Sequence, residues 1–131
     1  MKRKILTITF VLFGIALIGI FILYSVNRIT VKSNIKHCQE LFPGSAEDAL
    51  IAYMLDYTKH PENRSHIAIW TLAQIESEKA LPHLHSFYIN DPKGKTCADK
   101  HDEELCQYEI HKAIRSIENG KLISYKGLNK Q

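Results

Sequence analysis

The apolar positions of this chain fall into two regimes. From Ile5 to Val26 they run almost unbroken, with Thr7, Thr9, Tyr24 and Ser25 as the polar exceptions and no charge. Roughly 20 apolar residues at about 1.5 Å rise each cross the hydrocarbon layer of a bilayer. In lipid such a segment must be helical, because nothing else there satisfies the backbone. Beyond Asn27 the apolar residues come in spaced blocks among polar ones, the pattern of a folded domain. Roughly 105 residues remain there, enough for one small domain.

Residues 27–44 read as a linker leaving the membrane, and helical signals start at Pro43-Gly44-Ser45. Ser45 followed by Asp48 has the form of a capping box. A first helix is predicted from about Ala46 to Tyr57, with Leu50, Tyr53 and Met54 on one face. His60-Pro61-Glu62 breaks the chain and opens a second helix, about Pro61 to Glu76, since proline suits a first turn. Ile67, Ala68, Ile69, Trp70, Leu72, Ala73 and Ile75 make that helix apolar nearly all round. It is therefore expected at the centre of the domain, packed on more than one side. A third helix is predicted from about Glu78 to Ile89, with Pro82 in its early turns. Asn90 to His101 is a loop by composition. Asp102 caps a fourth helix, with Glu103 and Glu104 in its first turn. Leu105, Tyr108, Ile110, Ala113, Ile114 and Ile117 form its apolar face, and Gly120 ends it. The tail, residues 121–131, is basic and expected to fray. The folded part is thus 45–120, and the fold class is all-α: one transmembrane helix followed by about four antiparallel helices.

The chain also repeats itself. Glu47-Asp-Ala-Leu-Ile-Ala-Tyr53 aligns with Glu78-Lys-Ala-Leu-Pro-His-Leu84, and Thr71-Leu-Ala-Gln-Ile-Glu76 with Ala113-Ile-Arg-Ser-Ile-Glu118. Two helix types alternate, and the second offset is longer because the cysteine-containing loop is inserted. The run from Arg64 through Ala73-Gln74-Ile75 to Ala80-Leu81-Pro82-His83-Leu84 resembles a HEAT-like repeat of the short type first noted in phycobilisome lyases. That pattern has an Arg, an alanine-rich helix ending Leu-Gly-x-Ile, an acidic turn, then Ala-Leu-Pro-x-Leu; here Ala73 stands where the family often has Gly. The resemblance covers roughly residues 46–119 and implies stacked antiparallel helix pairs. It does not imply lyase activity, because the repeat is a scaffold and function sits in grafted sites.

Charge fixes orientation and excludes one class. Lys2, Arg3 and Lys4 crowd the N-terminal side of the apolar run, while Arg28, Lys32 and Lys36 spread over a longer stretch beyond it. The positive-inside bias favours residues 1–4 as a cytoplasmic tail and the domain outside, as in a single-pass bacterial inner-membrane protein. The run exceeds a signal h-region and no small-x-small site follows it, so it reads as an uncleaved anchor. The net charge of +3 is concentrated at the chain ends, and no basic stripe of the nucleic-acid-binding kind is present.

Three cysteines set the candidate chemistry. Outside the cytoplasm, Cys97 and Cys106 read first as a disulfide across the inserted loop, which would contribute roughly 2–3 kcal/mol. Cys38 pairing with either is a second possibility, since sequence cannot choose among pairings. A third is metal: Cys97, His101, Cys106 and His111 have ligand types suited to tetrahedral zinc, in a spacing that fits no zinc motif well. His37, His60, His66, His83 and His85 read as surface histidines. No Ser-His-Asp order or phosphate loop can be assembled, and Glu76, Glu78, Glu103 and Glu104 read as helix-end carboxylates. Trp70 reads as core, as do Tyr53, Tyr57, Phe87 and Tyr88, which are otherwise groove candidates. The expectation is a non-enzymatic interaction module without a cofactor, with another envelope protein as partner. The rival is a metal- or redox-responsive protein built on the Cys/His set.

Overall fold

The computed structural model describes residues 2–97, 104–121 and 124–128. Every regular element among them is helical. The chain divides into two compact units, Met1–Thr30 and Val31–Gln131.

The first unit is the N-terminal part of α1, which spans Lys2–Leu41. One helix among the described residues, this one, is long and apolar enough to cross a membrane. Its large apolar side chains from Ile8 to Leu23 are half to seven-tenths exposed. The hydroxyls within and just after this run turn inward on the helix itself. Ser25 Oγ donates to Phe21 O at 2.8 Å and Thr30 Oγ1 to Val26 O at 3.0 Å. Such back-bonding to the carbonyl four residues earlier satisfies each hydroxyl within the helix itself.

The second unit begins earlier than the hydropathy profile suggests. Residues 31–41 are the last three turns of α1, not a linker, and Val31, Ile35 and Cys38 are buried in the domain core. Their spacing of four and three residues is a helical stripe. Lys32, Ser33, Lys36 and His37 lie between its members and are exposed, which hides the stripe in any averaged profile. Asn34 Nδ2 donates to the buried Thr71 Oγ1 at 2.9 Å, tying this segment to the central helix. Phe42 and His37 meet the ring of Tyr53 edge-on, at 6.3 and 5.8 Å between centroids.

Helix α2 spans Ala46–Leu55. Ser45 is its N-cap as expected: its Oγ accepts from Asp48 N at 3.2 Å and donates to Asp48 Oδ2 at 2.6 Å. Helix α3 covers 61–74. It starts as an α-turn at Pro61–Asn63, widens to a π-turn over Arg64–Ile69, and returns to α-geometry at Trp70–Gln74. The widening is read from Trp70 N donating to Ser65 O, five residues back. It lets Arg64, Ser65, Ala68, Ile69, Leu72 and Ala73 all face inward. As the sequence demanded, α3 packs on several sides, against α2, against the Asn34 turn of α1 and against α5.

Glu76 sits at φ 52, and Ser77 N donates back to Leu72 O at 3.0 Å, a left-handed helix stop. A 3₁₀ turn at Glu78–Ala80 leads into α4, Leu81–Phe87. Helix α5 spans Gln107–Asn119 and ends at Gly120 with φ 72. Cys106, not Asp102, is its N-cap residue; Asp102 and Glu103 lie outside the described residues. Ile110, Ala113, Ile114 and Ile117 are its buried face as expected, whereas Tyr108 is exposed and Gln107 takes a buried place.

The C-terminal segment does not fray over its described part. Tyr125 and Leu128 are buried, and Lys126–Leu128 forms a 3₁₀ turn. Tyr125 N donates to Gln74 O at 3.1 Å and Lys121 N to Glu76 Oε1 at 3.0 Å. A helix end leaves carbonyls without partners, and this strap supplies one of them at the end of α3.

Candidate functional site

The sulfur chemistry follows the first of the expected readings. Cys97 and Cys106 form a disulfide with Cα atoms 5.1 Å apart, and both are buried. Cys38 is a free thiol, buried in the core, where desolvation pushes it up to about 12. The loop before the bridge is held close: Gly94 is at φ +64, and a Cβ there would lie 2.8 Å from Tyr108 Cβ and 3.0 Å from Cys97 Sγ. As bonded sulfurs, Cys97 and Cys106 cannot act as thiolate ligands. Of the two histidines weighed with them, His101 lies outside the described residues. His111 faces Tyr88 instead, stacked at 5.6 Å between centroids with its Nδ1 3.2 Å from the phenol oxygen. No three His, Cys, Asp or Glu side chains among the described residues are grouped to hold a metal.

Two buried polar groups were not anticipated. Gln107 joins the helices on either side of the cysteine loop. Its Nε2 donates to Phe87 O at 3.0 Å and its Oε1 accepts from Ile89 N at 2.9 Å, so one amide closes the end of α4. Arg64 is 4% exposed. Its Nε donates to Met54 O at 2.7 Å, and its guanidinium lies 4.6 Å from the Tyr57 ring centroid and 5.8 Å from that of Phe87. Burial lowers its pKa, and Tyr57 and Asp56 oppose that shift. Tyr57, expected in the core, is 75% exposed and roofs this arginine; Phe87 and Tyr88 are half-buried, and Tyr53 is core.

A cleft between α3 and α5, about 440 Å³ in volume, brings several polar groups together. Trp70, Ala73 and Gln74 line it from α3. From α5 come Lys112, Ala113, Arg115, Ser116 and Asn119, with Glu109 and His111 at the α5 end and Lys121 from the strap. The small side chains of Ala73 and Ala113 let the helices approach, and Ser116 Oγ donates to Ala73 O at 3.3 Å. Trp70 is therefore half-buried at a cleft wall rather than enclosed in the core. Lys112 lies 3.5 Å from Glu109 and 5.0 Å above the Tyr108 ring. Burial pushes the Lys121 ammonium below its ordinary value; Glu76 opposes this and Lys112 adds to it.

The cleft escaped the sequence reading because its residues come from two helices about 40 positions apart and from a segment read as tail.

Compared with protein-family models, with curated proteins and with solved structures, the chain matches none.

Proposed function

We propose that this chain is a membrane-anchored, non-enzymatic interaction module of the cell envelope. The observation that carries it is the exposed apolar surface of α1, a run in which the large aliphatic and phenylalanine side chains from Ile8 to Val26 are each at least half exposed. Water does not tolerate a surface of that extent, and a bilayer covers it. Residues 1–4 lie on the cytoplasmic side in this reading and the domain lies outside. The Cys97–Cys106 disulfide supports that address, since such bonds persist on the oxidising side.

The domain is read as two HEAT-like helix pairs, α2 with α3 and α4 with α5, closed into a small bundle. Supporting this, the aligned positions of the internal repeat share their environment: Leu72 and Ile75 are buried, and so are Ile114 and Ile117. Stacked pairs offer helix-lined faces to another envelope protein without needing a catalytic group. The α3–α5 face, with Trp70 at its edge, is the face proposed for that contact.

Two measurements test the reading. Enzymatic reporters fused after Gln131 should be active only outside the cytoplasm, and the protein should stay in the membrane through an alkaline carbonate wash. Photo-crosslinking from position 115 in intact cells should give one discrete adduct that a probe at position 36 does not give. Release by carbonate, or a reporter active only inside the cell, sinks the anchor and the address. The rival metal- or redox-responsive reading requires about one zinc per chain, or a bridge that opens under mild reduction in the folded protein.

A further inference from the structure

We propose that the α3–α5 cleft binds a small organic anion, an apolar ring or short chain carrying a carboxylate. The cleft is a hollow within the face proposed above for the partner contact; the ligand claim is independent of that contact and stands whether or not the domain is tethered to a membrane.

The cleft has the size and composition of a ligand site. Its volume of about 440 Å³ falls within the usual range for such sites, which combine an apolar lining with a few converging polar groups. Ala73, Ala113 and the half-buried indole of Trp70 supply the apolar part.

Charge selects the ligand. Lys112, Arg115 and Lys121 line the cleft against one carboxylate, Glu109, which is already 3.5 Å from Lys112. Arg115 and Lys121 have no ion-pair partner among the described residues. Glu76, the carboxylate nearest in effect to Lys121, is engaged by that residue's own main-chain N–H. Ser116 Oγ donates to Ala73 O and Asn119 Nδ2 to Arg115 O, and both groups are neutral, so neither balances the charge of these cations. Two cations without an ion-pair partner beside a half-buried indole favour a ligand that is anionic at one end and apolar at the other. A guanidinium takes a carboxylate through two parallel hydrogen bonds, which gives Arg115 the orienting role. Lys121 then gains a counter-ion at a place where burial disfavours its lone charge.

Trp70 is the only tryptophan, so its emission reports on this cleft alone. The full chain in an uncharged maltoside detergent is titrated with cyclohexanecarboxylate and with cyclohexylacetate, each beside its neutral amide. The acids should change Trp70 emission saturably, and the amides should bind at least about tenfold more weakly. Raising NaCl from about 50 to 500 mM should weaken the acids and leave the amides unchanged. Arg115→Gln with Lys121→Gln should abolish the preference for acid over amide. If that pair fails to fold, Arg115→Gln alone, checked by circular dichroism, should reduce the preference. No saturable change with either acid up to about 20 mM overturns the proposal. So does equal binding of acid and amide, or a preference that survives in the folded variant.

Discussion

Replacing Ile35 by Ala tests whether residues 31–41 belong to the folded domain. Ile35 is 5% exposed, between the fully buried Val31 and Cys38 on the same face of α1. Truncating a buried Ile costs its transfer free energy plus that of the cavity left behind, together about 2–5 kcal/mol. A value of about 3 kcal/mol is expected, because the site lies at the edge of the core and can partly collapse. That is a large part of the roughly 5–15 kcal/mol that holds a small domain. With a urea dependence of about 1.5 kcal/mol/M for a domain of this size, the midpoint should fall by about 2 M. The assay is urea unfolding of the full chain in maltoside micelles, followed by Trp70 emission. Ile29→Ala, at a position 68% exposed, is the control and should shift the midpoint by less than about 0.3 M. Asn34→Ala removes the bond to Thr71 and should cost about 1 kcal/mol. Equal midpoints for Ile35→Ala and Ile29→Ala would refute the packing. The domain would then begin at Ser45, as hydropathy alone suggests.

Gly94→Ala should destabilise by about 1–3 kcal/mol, more than the left-handed φ alone costs, because its methyl meets Tyr108 and Cys97; thermal unfolding by circular dichroism measures it. Reducing the Cys97–Cys106 bond should cost about 3 kcal/mol for a loop of this length, read as a lower thermal midpoint under dithiothreitol. Without reductant, Cys38 should resist thiol reagents at pH 8 until the protein unfolds, since burial holds it at about 12; rapid native labelling would contradict its burial. Arg64→Lys should cost about 1–3 kcal/mol, because an ammonium cannot keep both the Met54 carbonyl and the stacking on Tyr57. Acid should weaken the start of α2. The Lys79 hydrogen bond, with that of Ser45, holds the Asp48 carboxyl below its usual 3.8. Its stabilising effect is therefore present above that value and lost as pH falls through the lowered one. Asp48→Asn should flatten that part of the acid limb in a thermal-midpoint series from neutral pH to pH 2.

The sequence by itself determined the elements whose cause is local. The uncharged run from Ile5 to Val26 makes a helix long and apolar enough to cross a bilayer. Ser45, Pro61 and Gly120 mark helix ends through a cap, a missing N–H and a left-handed φ. The all-round apolarity of 67–75 announced a central helix. What needed tertiary structure was every feature in which distant segments satisfy one another. The stripe Val31–Ile35–Cys38 has meaning only once Tyr53 and Thr71 are beside it, and charged neighbours mask it in the sequence. The last residues read as a frayed basic tail, because nothing local shows that Gln74 and Glu76 will accept the N–H groups of Tyr125 and Lys121. The π-turn at Arg64–Ile69 has no signature in the residue order; it arises because the chain must turn Arg64 and Ile69 to the same interior. The cleft depends on two alanines facing each other across α3 and α5, a coincidence of packing that no single stretch of sequence records.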